Sequence, residues 1–537
     1  MTEIEKAEET FEANSSEAVG EEAFVKSLDK GKRNLGYISA VGLMVNRILG
    51  TGIFATPSTI YNLCGSIGLS LILWVVGALI ALAGLYVYME FGSAIPRNGG
   101  EKNYLEYVYS KPKFLTTGMY AAYVFLLGWA AGNSIVCGQY LLTAAGVEVT
   151  RWAERGIGVG AITFAFLVNG TTVKYGAYLQ NILGLFKIVI VLFITVTGWV
   201  ALGGWKKTDN FHNSFEGTTS ATAYGIVNAL YNVIWSFIGY SNANYALGEI
   251  KNPVKTLKIA APTALIVLAI IYLFVNIAYF AVVPKELLKT SSTILAADFF
   301  DIAFGKTAKK ASAVFVALSA LGNVMSVIFS QGRIIQQLGR EGILPFPKFF
   351  ATSRPFNSPF VGLFQHWVVC VITILAPPPG DAYNFILNLI SYPLNIINFL
   401  VAIALIYLNI QAKRGKIHWE PPLKATIPVT VFFGLSSLYL IIAPYIPPAE
   451  SQKHAVYNDL PYYVHCVTAL GIFFVGFVYW LFWAQILPRL FGYSLQVEEI
   501  LGEDGFWRKE IKRVKHKDLA EYLSQQGTHS EEDTIDK

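Results

Sequence analysis

Apolar residues along this chain come in runs of about 20, separated by short polar stretches, and each run is near the length needed to cross the roughly 30 Å hydrocarbon core of a bilayer. Twelve such spans are predicted, over residues 37–61, 67–92, 115–145, 156–169, 177–203 and 224–250 in the first half, then 260–283, 311–338, 360–376, 382–408, 427–446 and 462–487. Two of them carry short glycine-marked interruptions, Leu49-Gly50-Thr51-Gly52-Ile53-Phe54 in span one and Phe237-Ile238-Gly239-Tyr240-Ser241-Asn242 in span six. A helix broken inside hydrocarbon leaves N–H and C=O groups unpaired, which is costly unless they line a cavity and bind something polar. Such breaks commonly hold a transported solute.

Composition agrees with the pattern. The 537 residues are 54% hydrophobic and 14% charged, an excess far above that of a soluble domain, so the chain reads as a multi-pass integral membrane protein. With the N-terminus placed in the cytoplasm, Lys32, Arg33, Lys102, Lys113, Lys255, Arg340, Lys348, Lys413 and Arg414 all fall on the cytoplasmic side, which predicts that both termini lie there. Four parts are expected: an acidic, disordered cytoplasmic N-terminal tail (1–36), a transport core of ten helices (37–408), two further helices (409–488) and a cytoplasmic C-terminal tail (489–537). The tail's basic run from Phe506 to Lys517 suits contact with anionic lipid headgroups. The acidic first residues contain no apolar run, so no cleavable signal peptide is expected.

Several chemistries find no support. The seven histidines form no HExxH, and neither a GxxxxGK[ST] loop nor a GxSxG elbow occurs. The four cysteines, Cys64, Cys137, Cys370 and Cys466, have no metal-ligand spacing. The chain therefore reads as a carrier with no enzymatic activity, no metal and no cofactor, and a nucleic-acid partner is not expected.

Each interruption lies roughly 14 residues into its span, near the bilayer midplane at about 1.5 Å per residue. Five spans separate the two, so they enter from opposite sides, as an inverted five-helix repeat requires, and can meet at one site. A half-helix that begins at a break offers N–H groups and a positive dipole end to a carboxylate, while one that ends there offers carbonyls to an ammonium. An α-amino acid zwitterion uses both. Gly50, Gly52 and the Thr51 amide and hydroxyl are the leading candidates for the carboxylate.

The residues around these breaks resemble a known family. Gly50-Thr51-Gly52-Ile53-Phe54 is similar to the G-[ST]-G-I-F signature of the amino acid–polyamine–organocation superfamily. The stretch from Glu90-Phe91-Gly92 through Ile95-Pro96 to Gly99-Gly100 resembles its "AELGTxIPxSGG" segment, Asn244 through Glu249 to Asn252-Pro253 its "NxxxEExxNP", and Arg340-Glu341-Gly342-Ile343-Leu344-Pro345 its "AREGxLP". Within the superfamily the chain is most similar to the L-type amino acid transporter branch and, there, to fungal high-affinity methionine permeases. The resemblance implies an all-α polytopic membrane protein of LeuT-type fold, a 5+5 inverted repeat plus two C-terminal helices, with helices 1 and 6 of the twelve broken. It also implies proton-coupled uptake of L-methionine or related neutral amino acids by alternating access at the plasma membrane. A neutral amino acid exchanger and, in a different class, an amino-acid-sensing receptor are the alternatives.

Carried over by motif, Ile48, Leu49, Gly50, Thr51 and Gly52 from the first helix, and Trp235, Ser236, Phe237, Ile238 and Gly239 from the sixth, would border the substrate. Trp235 falls where the family has an aromatic that covers the substrate from outside, a gate. Ile238 stands where the L-type branch usually has glycine, which favours a slim side chain. Lys187 takes the place where sodium-coupled relatives bind a cation, with Ser326 and Ser330 on span eight as expected neighbours, so a proton-linked or sodium-free mechanism follows. Arg47 is expected to pair with Glu249 at an intracellular gate, with Glu90 or the substrate as other partners. Relatives joined to a heavy glycoprotein chain carry a cysteine after span three. Residues 146–155 have none here, so no disulfide-linked heavy chain is expected and the chain would act alone, with membrane lipid around it.

Overall fold

The computed structural model describes residues 37–95, 99–205, 208–241, 252–501 and 507–522. Helix α1 (Tyr37–Ile48) stops at the predicted interruption, and the chain resumes as α2 (Gly52–Ala55) and α3 (Pro57–Cys64), joined through Thr56, whose backbone is itself helical. Pro57 suits its place at the start of α3, where no N–H is needed, and Gly65 closes that helix in the left-handed conformation at φ 72°. Ser66 then opens α4 (Ile67–Ala94), its hydroxyl accepting from Leu69 N at 3.3 Å.

The helices that follow are α5 (Glu101–Val108), α6 (Leu115–Leu126), α7 (Ala131–Ala145), α8 (Arg151–Thr171), α9 (Val173–Leu202) and α10 (Ala223–Phe237). Next come α11 (Pro253–Val282), α12 (Lys285–Thr290), α13 (Leu295–Phe304), α14 (Lys306–Arg340), α15 (Pro347–Ala351), α16 (Phe360–Leu375) and α17 (Ala382–Lys413). The series ends with α18 (Ile427–Ile442), α19 (Val464–Trp480) and α20 (Leu487–Phe491), the last two joined by a π-helical turn over Leu481–Ile486. Among the described residues eight helical stretches are long and apolar enough to cross a membrane, which makes this a polytopic, mostly helical membrane protein.

Burial ranks these stretches from centre to rim. The window of Leu115–Ala145 is 89% buried, whereas those of Ile427–Tyr445 and Val464–Phe491 are 39% and 33% buried. The α6–α7 stretch is therefore the centre of the molecule, with α7 packed chiefly on α14 and α8 and α6 on α19, and the last two spans leave most of their surface uncovered. Span three is not continuous. The helix opens at Leu127–Ala130, where Leu127 is extended and a side chain on Gly128 would come within 2.6 Å of Thr373 Oγ1.

An all-α fold is expected from the sequence, and the structure departs from it at the C-terminal end. Strands β1 (Tyr493–Leu501) and β2 (Trp507–Lys515) form an antiparallel hairpin that pairs Tyr493 with Lys515 and Leu501 with Trp507. The reason is the alternation Tyr493, Leu495, Val497 against Ser494, Gln496, Glu498, a period of two that suits a half-buried strand. The hairpin is tied to the end of α14 by Ile511 N donating to Glu341 O at 2.9 Å.

Beside that contact Lys102 is buried between two carboxylates, 2.6 Å from Glu341 Oε2 and 3.2 Å from Glu106 Oε1, while Thr117 Oγ1 donates to the same Glu106 oxygen and Gln337 Nε2 to Glu341 Oε1. Burial pulls the Lys102 ammonium down, and Glu106 and Glu341 more than reverse this, holding it above the ordinary lysine value. The cluster's contribution to stability is thus complete at neutral pH and fades only as pH rises through that raised value. Lys102→Met is expected to cost about 3–5 kcal/mol, because it leaves two like charges in a nearly dry site. A melting curve of the detergent-solubilised variant at neutral pH checks this.

Candidate functional site

At the first break Leu49 N makes the last helical bond of α1, to Val45 O at 2.8 Å, and Gly50 N turns back to Ile48 O at 2.7 Å. The Thr51 carbonyl then accepts from Phe54 N and Ala55 N, which starts the next helical segment and leaves the amides before Phe54 without a partner within it. Side chains hold the opened backbone. Tyr272 of α11 donates its hydroxyl to Ile48 O at 2.8 Å. Thr51 Oγ1 donates to Asn133 Oδ1 at 2.6 Å, Asn133 Nδ2 donates to Asn323 Oδ1 at 3.0 Å, and Asn323 Nδ2 donates to Arg47 O at 3.5 Å. This chain of amides ties α1 and α2 to α7 and α14.

At the second break α10 ends at Phe237, and the turn that follows includes Gly239 at φ 118°, a conformation that favours glycine. The remainder of span six lies outside the described residues. The two breaks touch. A Cβ on Gly52 would overlap Ser236, and one on Gly239 would overlap the stem of Arg47, so each close approach depends on a glycine. Thr56 Oγ1 and Ser236 Oγ are 3.4 Å apart across the same seam.

Between the breaks is a small cavity of about 30 Å³. Its walls are Arg47, Ile48, Gly50, Thr51, Gly52, Trp235, Ser236 and Ile238 from the two broken helices, together with Trp129, Asn133 and Asn323. Trp235 is half-buried, its ring beside Gly132. Trp129 presents a buried indole N–H with no acceptor among the described residues.

Not every residue singled out from the sequence reaches the cavity. Leu49 is buried elsewhere, Phe237 turns away to pack on Trp74 and Tyr272 with ring centroids 6.2 and 5.2 Å apart, and Gly239 meets Arg47. Lys187 is fully buried in α9 and lies against Gly322, the neighbour of Asn323, so it stands just behind the wall. Ser326 is buried one turn further along α14, and Ser330 donates to its carbonyl at 3.0 Å. Glu249 and residues 1–36 lie outside the described residues. Glu90, the other carboxylate considered for Arg47, is committed to Ala425 N at 2.7 Å, Trp419 Nε1 at 3.0 Å and Asn409 Nδ2 at 3.4 Å. All four cysteines are buried and free.

Trp129, Asn133 and Asn323 are wall residues that reading the sequence passes over. The available signal was the placing of an amide inside an apolar span, Gly132-Asn133-Ser134 and Gly322-Asn323-Val324, where an unpaired polar group is expensive.

Comparison with known proteins agrees with this architecture. Residues 35–488 match the family described as amino acid permease. The high-affinity methionine permease of Saccharomyces cerevisiae is 66% identical over 91% of this chain and 86% of its own length. The low-affinity methionine permease of the same organism is 32% identical over 86% and 84%, and the b(0,+)-type amino acid transporter 1 of Mus musculus is 30% identical over 85% and 91%. With a family match across most of its length and a helical, multiply membrane-spanning fold, the chain belongs to the amino acid permeases of the amino acid–polyamine–organocation superfamily, which are transporters and not enzymes.

Proposed function

We propose that this protein carries L-methionine, or a related neutral amino acid, inward across the plasma membrane by alternating access, with the proton gradient as driving force. The observation that carries the reading is the meeting of two helix breaks around one cavity walled by backbone, amide and indole groups inside an apolar bundle. A zwitterion matches that wall. Its carboxylate suits the amides that head the segment after Gly50, and its ammonium suits the carbonyls at the end of α1. Trp235 covers it as the outer gate, and Ile238 narrows the side-chain end to a slim, neutral group. Methionine is favoured by the 66% identity to a methionine permease.

The finer architecture is part of the same proposal: twelve spans in a LeuT-type 5+5 inverted repeat plus two, both termini cytoplasmic, and no disulfide-linked heavy chain. Lys187, with Ser326 and Ser330 near it on α14, is assigned to proton coupling, and Arg47 with Glu249 to the inner gate.

The test is uptake of labelled L-methionine into empty proteoliposomes with and without an inside-alkaline pH gradient. Accumulation that requires the gradient is the expected result. Transport seen only after internal loading with amino acid would make the protein an exchanger, and saturable binding without transport would make it a receptor.

A further inference from the structure

The lipid-facing surface of the last span runs straight into a cluster of cations. Phe474, Phe482, Ile486 and Leu490 recur at helical spacing along α19, its π-helical turn and α20, and all are exposed large apolar residues. Leu490 and Phe491 are 71% and 68% exposed, so this apolar stripe continues uncovered to the last residue of α20. Arg489, also exposed, lies in the same final turn.

The chain then turns at Gly492, with φ 63°, and enters β1. The hairpin returns to the same point. Tyr493 pairs with Lys515, and His516 N donates to Gly492 O at 3.0 Å. The strand pairing thereby returns the backbone at Lys515, and Lys517 two residues on, to the end of α20, the helix that carries Arg489, Leu490 and Phe491. Among the described residues neither Arg489 nor Lys515 has a carboxylate within ion-pair distance, and Lys517 has only Asp518, at 3.9 Å. Lys512, further up the same strand, is by contrast held by Glu498 and takes no part.

From this placement we infer that Arg489, Lys515 and Lys517, together with Leu490 and Phe491, form a binding site for the headgroup of an anionic phospholipid. The cations meet the phosphate and its anionic substituent, and the two apolar side chains meet the glycerol end of the acyl chains. A basic residue at a bilayer surface gains from anionic lipid, and three fixed on one spot outdo the same three scattered along a mobile tail, because the ordering cost is met by the hairpin. The site is independent of what the cavity transports.

The test uses the purified full chain in detergent micelles, titrated with fluorescently labelled phosphatidylserine and, separately, labelled phosphatidylcholine. Wild-type protein is expected to prefer phosphatidylserine by about tenfold or more, and the variant with Arg489→Gln, Lys515→Gln and Lys517→Gln to lose most of that preference. Lys512→Gln is expected to keep it. A readout on the unaltered chain guards against a misfolded variant: the preference should fall as salt is raised from about 0.05 to about 0.5 M, since the Debye length shrinks. Leu490→Ser with Phe491→Ser should weaken both lipids alike. Equal binding of the two lipids by wild type, a preference insensitive to salt, or a triple variant that retains it would overturn the inference. So would competition by glycerophosphoserine as potent as that of the intact lipid, which would mean a soluble anion site.

Discussion

Gly52→Ala is expected to reduce the initial rate of L-methionine uptake by about a hundredfold, the order of loss that a displacement near 1 Å brings to a positioned site. The added Cβ would lie 2.8 Å from both Cα and Cβ of Ser236. One of those atoms is backbone, so no rotamer change relieves the overlap, and the segment after the first break must move away from α10. Overpacking of this kind costs about 1–3 kcal/mol, which a protein of this size survives, so the variant should reach the membrane and remain folded. Uptake in proteoliposomes of matched protein content, beside a melting curve, measures both. Ser236→Gly removes the side-chain part of the overlap and should restore part of the rate, since the two positions touch and their effects are not additive. A single variant that transports at close to the normal rate would mean that the seam between the breaks does not govern transport.

Lys187→Ala is expected to abolish pH-gradient-driven accumulation, a loss of about tenfold or more, while exchange of labelled for unlabelled methionine across an equilibrated membrane stays within about threefold. The two readouts separate coupling from substrate binding. An amine fully buried in a membrane-spanning helix costs several kcal/mol to keep, a cost that function or partners must offset. Its packing against Gly322 sets it one residue from Asn323, whose amide reaches the backbone of Arg47 at the first break. A change at Lys187 therefore has a short path to the site. If accumulation and exchange fell together with the melting temperature, Lys187 would be a structural cation, and if accumulation persisted, protons would be coupled elsewhere.

The first break could be read directly from the sequence because glycine on both sides of Thr51 marks where a helix yields. The apolar runs likewise give most spans to within a few residues, since length against bilayer thickness is a strong constraint. What could not be read is direction. The Leu115–Ala145 stretch is buried almost all round, so its pattern has no polar face from which to tell that Trp129 and Asn133 line a cavity. Asn323, conspicuous as an amide in an apolar span, gives no direction until α14 is packed on α7. Phe237 stands at the second break, yet the aromatic company of Trp74 and Tyr272 draws it the other way. The hairpin was hidden for another reason: the basic run in β2 reads as a tail lying on anionic headgroups, and the alternation in β1 counts for little until the two strands are seen side by side.

The amide chain behind the cavity also has a polarity. Asn133 spends its NH₂ on Asn323 and receives the Thr51 hydroxyl hydrogen at its oxygen. A threonine hydroxyl has one hydrogen to give, and here it points into the wall. Toward the cavity Thr51 can therefore only accept. A bound carboxylate would gain nothing from that oxygen and must rely on backbone amides, whereas an ammonium would find it a ready partner. An amino acid bound in the cavity would then meet this hydroxyl with its ammonium, not with the carboxylate that the sequence suggests for it.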